Sequence, residues 1–533
     1  MIWLLLAAGF AFAVEPARIR FQDVAAAAGI DFVLRNHPTP EKHMIETMAG
    51  GLAAFDYDND GRIDIFFTNG AVIPSMKKES SKYFNRLFRN EGEWKFRDVT
   101  GSSGLAGDGY SMGAAAADFD NDGHADLFVS GVYRNILYRN LGNGKFQDIT
   151  TSSGIKSDRW SVTAGWFDYD NNGLLDLLVV NYSHWSANDP RFCGDSARGL
   201  RIYCHPKYFD PVPNQLYRNL GGGRFEDVSA KSGIASHAGR GMGIAFADYD
   251  DDGRMDAFVT NDNLPNFLFR NLGSGKFEET ALLAGCALLD HGRPVASMGA
   301  DFRDYDNDGR PDIAITALAG ETFPLFRNAG GTFRDVTYSS KLGPLVARRS
   351  GWGVAFVDFN NDGRKDLFTA NSHVNDIVEK FEAFPYRETN LVLANMGNGW
   401  RDDSATFDSV RAHRGAAFAD FDHDGRMDAV VSCLGERAEL WRNISEPVGA
   451  WLAAHLEGSS SNHSALGARI TIAGQSNEMT SAISYSSSSL IPVHFGLPST
   501  EPIDLTIRWR SGRSQQIEKI APNQRLRVRE PRE

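Results

Sequence analysis

The chain is 533 residues long, with 68 Asp and Glu against 55 Lys and Arg and a formal net charge of −13. That length accommodates one large domain and a small one, and the absence of any basic stripe disfavours nucleic acid as a partner. No stretch reaches transmembrane length, so no membrane span is expected.

The first thirteen residues, Met1 to Ala13, form an apolar run ending Ala11-Phe12-Ala13, an A-x-A pattern followed by Val14-Glu15-Pro16. This reads as a signal peptide over residues 1–13, although its only positive charge is the terminal amine. A secreted, periplasmic or cell-surface protein is therefore expected.

At Asp56 the chain enters Asp56-Tyr57-Asp58-Asn59-Asp60-Gly61-Arg62-Ile63-Asp64. Carboxylates at positions one, three, five and nine, with glycine at six, can converge on a hard cation that takes six to eight oxygens. Six further copies begin at Asp118, Asp168, Asp248, Asp304, Asp358 and Asp420. The candidate ligands of the first three loops are Asp56, Asp58, Asp60 and Asp64; Asp118, Asp120, Asp122 and Asp126; and Asp168, Asp170, Asn172 and Asp176. Those of the next two are Asp248, Asp250, Asp252 and Asp256, then Asp304, Asp306, Asp308 and Asp312. The last two offer Asp358, Asn360, Asp362 and Asp366, then Asp420, Asp422, Asp424 and Asp428. Asn172 and Asn360 still offer a carbonyl oxygen, and those two sites are expected to be weaker. One copy is an ordinary Asx/Gly turn; seven point to about seven Ca²⁺ sites. Together these positions hold 26 carboxylates, so seven divalent ions would bring the net charge to about +1. An EF-hand fails, because its twelfth position needs Glu and here falls on residues such as Phe67 and Val129.

Loop starts lie 62, 50, 80, 56, 54 and 62 residues apart, a propeller-blade period. Each unit runs from a Gly/Ala-rich segment through the loop to a β-favouring run such as Asp126-Leu127-Phe128-Val129. Next comes Leu-aromatic-Arg-Asn, as in Leu137-Tyr138-Arg139-Asn140, degenerate in unit six as Leu391-Val392-Leu393-Ala394-Asn395. A fourth segment such as Phe146-Gln147-Asp148-Ile149 closes the unit. Four short strands in each of seven units predict an all-β, seven-bladed β-propeller over residues 14–445. The seventh unit lacks its fourth strand, and Phe21-Gln22-Asp23-Val24 near the N-terminus carries that pattern. Residues Arg18–Val24 are therefore expected to close the ring against Glu439–Arg442, the alternative being a separate arm.

These loops and frames resemble FG-GAP/VCBS repeats, the units of integrin-α-like calcium-binding propellers, across roughly residues 45–443. From Glu446 the pattern stops. Gly467-Ala468-Arg469, Val493-His494-Phe495-Gly496-Leu497 and Asn523-Gln524 make residues 446–533 similar to the ASPIC/UnbV module of cartilage-acidic-protein-like proteins. Its usual Trp-Pro-Ser-Gly stands here as Trp509-Arg510-Ser511-Gly512, and a small β domain is expected.

Extra length falls on the face opposite the metal loops, at Ala71–Phe84, Tyr182–Asn214 and Val374–Thr389. In the longest insert Cys193 and Cys204 lie eleven apart, which in an exported loop predicts a disulfide; a zinc site with His184 and His205 is the alternative. Cys286 and Cys433 read as buried thiols. Strand ends on this face bring up Asn181, Asn261 and Asn371 with Asp262, His184, Trp185 and His373. They read either as a ligand site or as turn caps. No catalytic motif is visible. The reading that follows is a monomeric binding or adhesion module for an extracellular glycan or protein, not an enzyme. The alternative is an exported enzyme acting on polysaccharide or peptide at the propeller's central opening.

Overall fold

A computed structural model describes residues 17–156 and 158–532; the expected signal peptide lies outside the described residues. The repeats fold into seven sheets built on four antiparallel strands in the order of the sequence unit, six of them four-stranded and the first extended further. The first strands of the sheets are Leu52–Phe55, Tyr110–Ala117, Ser161–Phe167, Gly241–Ala247, Ala300–Arg303, Gly351–Val357 and His413–Ala419. Each packs against the next, and His413–Ala419 packs back against Leu52–Phe55, so the sheets form a closed propeller-like ring. The fourth strand of the seventh sheet is Phe21–Asp23, which pairs with Glu439–Asn443 in the register Phe21↔Asn443, Gln22↔Arg442 and Asp23↔Trp441. Phe21 is seated between Phe359 and Phe407, with centroids at 5.2 and 5.5 Å.

The carboxy-terminal region forms a three-stranded sheet (Val493–Leu497, Ala450–Glu457, Gln524–Arg529) and a four-stranded one (Gln475–Glu478, Arg469–Ile472, Ile503–Arg508, Ser514–Ile520). Leu452, Ile470, Leu505, Ile507 and Trp509 fill the space between them, and this core runs on into Phe119 and Trp166 of the ring. The region is not self-contained. Its hairpin Ala482–Ile483 and Ser487–Leu490 enters the centre of the ring, and Ser488 pairs in parallel with Ala53, making the first sheet six-stranded. The division expected at residue 446 is therefore crossed by this hairpin.

Glycine and serine explain the fit. The first strands expose unpaired backbone groups toward the axis, an edge that must be satisfied when it is buried. A Cβ on Gly51 would sit 2.3 Å from Ser486 O, so only glycine admits the hairpin there. The serines supply the missing partners: Ser484, Ser488 and Ser489 hydroxyls accept from the N–H groups of Val354, Ala116 and Phe418 at 3.1, 3.1 and 3.0 Å.

From the other side the short helix Ile45–Met48 and the inserts close the same axis. The two fillings meet where the Tyr485 hydroxyl donates to Met48 O at 2.7 Å. The centre is thus a packed core of Met44, Ile45, Trp352 and Tyr485, not an opening. This corrects the expectation of an open channel able to house catalysis.

Candidate metal centres

Each loop is held by its own backbone in one repeated pattern. In the first, Asp56 accepts from the N–H groups of Asp60 and Gly61 at 3.1 and 2.8 Å. Asp64 accepts from Tyr57 N at 3.1 Å and from Asn90 N at 2.7 Å. Gly61 at φ +87° makes the turn that brings these positions together. The same bonds recur at Asp118 and Asp126, and again around the ring to Asp420 and Asp428.

Position three is different. The outer oxygen of Asp58 takes a guanidinium N–H from Arg89, the arginine of the Leu-aromatic-Arg-Asn strand, at 2.6 Å. Its inner oxygen, Oδ1, is buried without a partner, as are those of Asp120, Asp170, Asp250 and Asp422. The Asp120 side chain is only 8% exposed. A buried, unpaired carboxylate oxygen is costly, and all five stand at the repeat position where a cation would satisfy them. In the first four loops three carboxylates bring oxygens within 4.8 Å of one another: Asp56, Asp58 and Asp64; Asp118, Asp120 and Asp122; Asp168, Asp170 and Asp176; Asp248, Asp250 and Asp256. The donor set is all oxygen and mostly charged, which suits Ca²⁺.

Burial pushes Asp64, Asp126, Asp176, Asp256, Asp366 and Asp428 well above the usual carboxylate range. Backbone N–H groups offset part of this, and neighbouring loop carboxylates add to it. Asp312 is pushed up to about 8, again chiefly by burial. A divalent ion would relieve both the burial cost and the repulsion.

The asparagine of Leu-aromatic-Arg-Asn stitches the sites into a circle, a role its sequence did not announce. Asn140 Nδ2 donates to Tyr57 O of the preceding loop at 2.8 Å and to Ala125 O of its own at 2.9 Å. Asn90 reaches back to Phe421 O of the seventh loop at 3.0 Å and closes the set. Position four bridges the other way, as Asn59 donates to Gly123 O of the next loop at 2.7 Å.

The carboxy-terminal region covers this face. His463 Nδ1 lies 2.9 Å from Asp118 Oδ2, Arg508 pairs with Asp248 and Asp251 at 3.0 and 2.7 Å, and Arg510 donates to Gly253 O at 2.7 Å. The sequence assigned His463, Arg508 and Arg510 no role at the metal loops.

On the opposite face Asn181, Asn261 and Asn371 are fully buried and spend their amides on Pro213 O, Pro265 O and Thr389 O. Asp262 accepts from the Tyr182 hydroxyl at 2.8 Å, and His373 accepts from Asn375 N, with burial lowering its pKa to about 4. The structure therefore brings these five into the walls of the ring. Only His184 and the half-buried Trp185 reach the surface. Cys193 and Cys204 form a disulfide, so the zinc alternative falls, and Cys286 and Cys433 are buried free thiols. The insert reaches across the ring, where Tyr203 N donates to Asn375 Oδ1 at 2.9 Å and its hydroxyl to Glu46 at 3.0 Å. Phe192 and Tyr208, both 47% exposed, stand on its outer surface with Arg201 and Lys207 over their rings at 5.4 and 5.1 Å.

Comparison with known proteins agrees with this anatomy. Residues 56–129, 130–179, 207–259, 248–315 and 304–369 match the FG-GAP-like repeat, and residues 458–533 match the ASPIC and UnbV family. Human cartilage acidic protein 1 is 25% identical over 341 residues, covering 61% of this chain and 49% of that protein. The mouse protein is 28% identical over 230 residues, covering 42% and 33%. The chain thus spans half or less of the length of these relatives. Among solved structures, YCF48 bound to D1 peptide aligns at 9% identity over 82% of this chain and 99% of that one, with a TM-score of 0.43. An Agrocybe aegerita lectin recognising non-reducing terminal N-acetylglucosamine aligns at 15% identity over 73% and 87%, with a TM-score of 0.40.

Proposed function

This chain belongs to the FG-GAP-like repeat family, its repeats followed by an ASPIC and UnbV domain, and from that premise we propose an exported, calcium-stabilised module that binds an extracellular glycan or protein. The observation that carries the calcium reading is the buried, unpartnered position-three oxygen, repeated in five loops beside two or more further carboxylates. In each filled site Asp at positions one and nine and Asp, or Asn360 in the sixth loop, at position three would supply oxygens, with position five completing the set. The ion itself supplies charge neutralisation.

Binding is favoured over catalysis because the axis of the ring is filled by the chain's own side chains. The exposed aromatic rings of Phe192 and Tyr208, flanked by cations on a disulfide-bonded insert, offer stacking faces for sugar rings or anchors for a protein partner. Two experiments test the two halves. Chelation with EDTA should lower the melting midpoint and millimolar Ca²⁺ restore it; an unchanged midpoint defeats the calcium reading. A glycan array and an extracellular-protein array probed with the parent and with Phe192→Ala/Tyr208→Ala should show binding that the variant loses. Retention by the variant defeats the assigned surface.

A further inference from the structure

Internal repeats allow each loop to be compared with its six siblings under one set of surroundings. Two arginines recur around the carboxylates. The third-strand arginine pairs with position three: Arg89 with Asp58, Arg139 with Asp120, Arg218 with Asp170, Arg270 with Asp250, Arg327 with Asp306 and Arg442 with Asp422. An arginine at position seven pairs with position five: Arg62 with Asp60, Arg254 with Asp252, Arg310 with Asp308, Arg364 with Asp362 and Arg426 with Asp424. Loops one, four, five and seven hold four carboxylates and two such guanidinium groups, and at loop five the buried Lys365 amine also donates to Asp304 O at 2.7 Å.

The two asparagines follow the arginines. In the third loop position seven is Leu174, and the aspartate that would pair there is Asn172, whose side-chain oxygen accepts only Leu174 N. In the sixth loop the third strand carries buried Ala394 in place of arginine, and the aspartate that would pair there is Asn360. Each loop has lost one carboxylate together with an arginine that meets that position elsewhere in the ring, although the third-strand arginine also reaches position five in loops one, two, four and five. Position four of the fourth loop adds the carboxylate of Asp251, which pairs with both Arg469 and Arg508, and Arg508 also meets Asp248. The second loop keeps Asp122 although His124 stands at position seven, and Arg139 reaches Asp122 at 3.3 Å. There the carboxy-terminal region brings the His463 imidazole against Asp118.

We propose that these arginines are matched to the carboxylates they meet, so that the loops with Asn172 and Asn360 are full divalent-cation sites and not weakened ones. The inference rests on the calcium reading above. Its physical basis is direct. A guanidinium left opposite asparagine would be a fixed positive charge a few ångströms from the incoming ion, and an aspartate left without its arginine would add repulsion to an empty loop. The position-three arginine also takes only the outer oxygen, leaving the inner one for the metal.

The test uses the full chain. Equilibrium dialysis at saturating Ca²⁺ should count seven ions per chain. Fewer than seven overturns the inference, and none at all, with a melting midpoint indifferent to EDTA, overturns the calcium reading beneath it. Both Asn172 and Leu174 reach solvent, so substitutions there test the pairing without disturbing the core. Asn172→Asp should lower the calcium-free midpoint by roughly 1–3 °C. Leu174→Arg should cost one bound ion at subsaturating Ca²⁺. The double variant should return to the parent in both measurements. If the double variant shows the sum of the two single effects, the carboxylate and its arginine are not a charge-matched unit and the inference fails.

Discussion

Replacing Tyr485 probes the filled axis most directly. Its ring is fully buried, meets Trp352 edge to face at 4.9 Å and donates its hydroxyl to Met48 O. Tyr485→Phe keeps the ring and strands one buried carbonyl, a cost of about 1–3 kcal/mol. Tyr485→Ala removes the ring as well and leaves a cavity where two parts of the chain meet, a cost of about 3–5 kcal/mol. The two should therefore fall in order, and Tyr485→Ala should also loosen the hairpin that carries it. Urea unfolding followed by tryptophan fluorescence gives the order, with the transition midpoint as the readout. Limited proteolysis with mass spectrometry should show new cuts between residues 480 and 491 in Tyr485→Ala alone. A Tyr485→Ala protein within about 1 kcal/mol of the parent, with no new cuts, would refute the seated hairpin.

Deleting Arg18–Val24 should expose the Glu439–Asn443 edge and make the seventh sheet protease-sensitive; parent-like resistance and melting would contradict the closure. Reducing Cys193–Cys204 should free the insert while lowering global stability by at most about 3 kcal/mol, as scored by melting with and without reductant. Burial alone would raise the Glu439 carboxyl, but His413 at 3.1 Å, with Ser409 and Arg411, holds it down to about 2. A carboxylate depressed in the folded state stabilises above its ordinary value near 4.5, so about 3 kcal/mol should drain away as pH falls from there toward 2. Glu439→Gln should flatten that part of the stability profile measured in millimolar Ca²⁺, and an unchanged profile would refute the assignment.

The loops, the four-strand units and the strand that closes the ring were legible because each is written locally. A turn needs glycine at position six, and the Phe-x-Asp-Val pattern of Phe21–Val24 matches that of the other fourth strands. The filled axis was not. Ser484 to Ser489 read as a polar surface run, and nothing local says that its hydroxyls answer first-strand N–H groups 71, 130 and 372 residues away. The strand-end asparagines failed for a related reason. Asn181, Asn261 and Asn371 have the chemistry of a binding site, but inserts that fold back over them use that chemistry for the backbone. The arginine lost with Asn172 stood two residues on, at Leu174, and the one lost with Asn360 in the next strand but one, at Ala394, so a loop read alone shows neither change.

The seventh sheet joins strands from the two ends of the repeat region, with Arg20 N bonded to Ser445 Oγ across a separation of 425 residues. A nascent chain therefore presents its first folding segment long before the partner for it exists. Until the last repeat has emerged, six sheets can stack with an unprotected edge at each end, and the loop-closure entropy of the final pairing is met in one late step. Folding of this protein should be slow and concentration-sensitive for that reason, with intermolecular exchange of the N-terminal strand as its characteristic error.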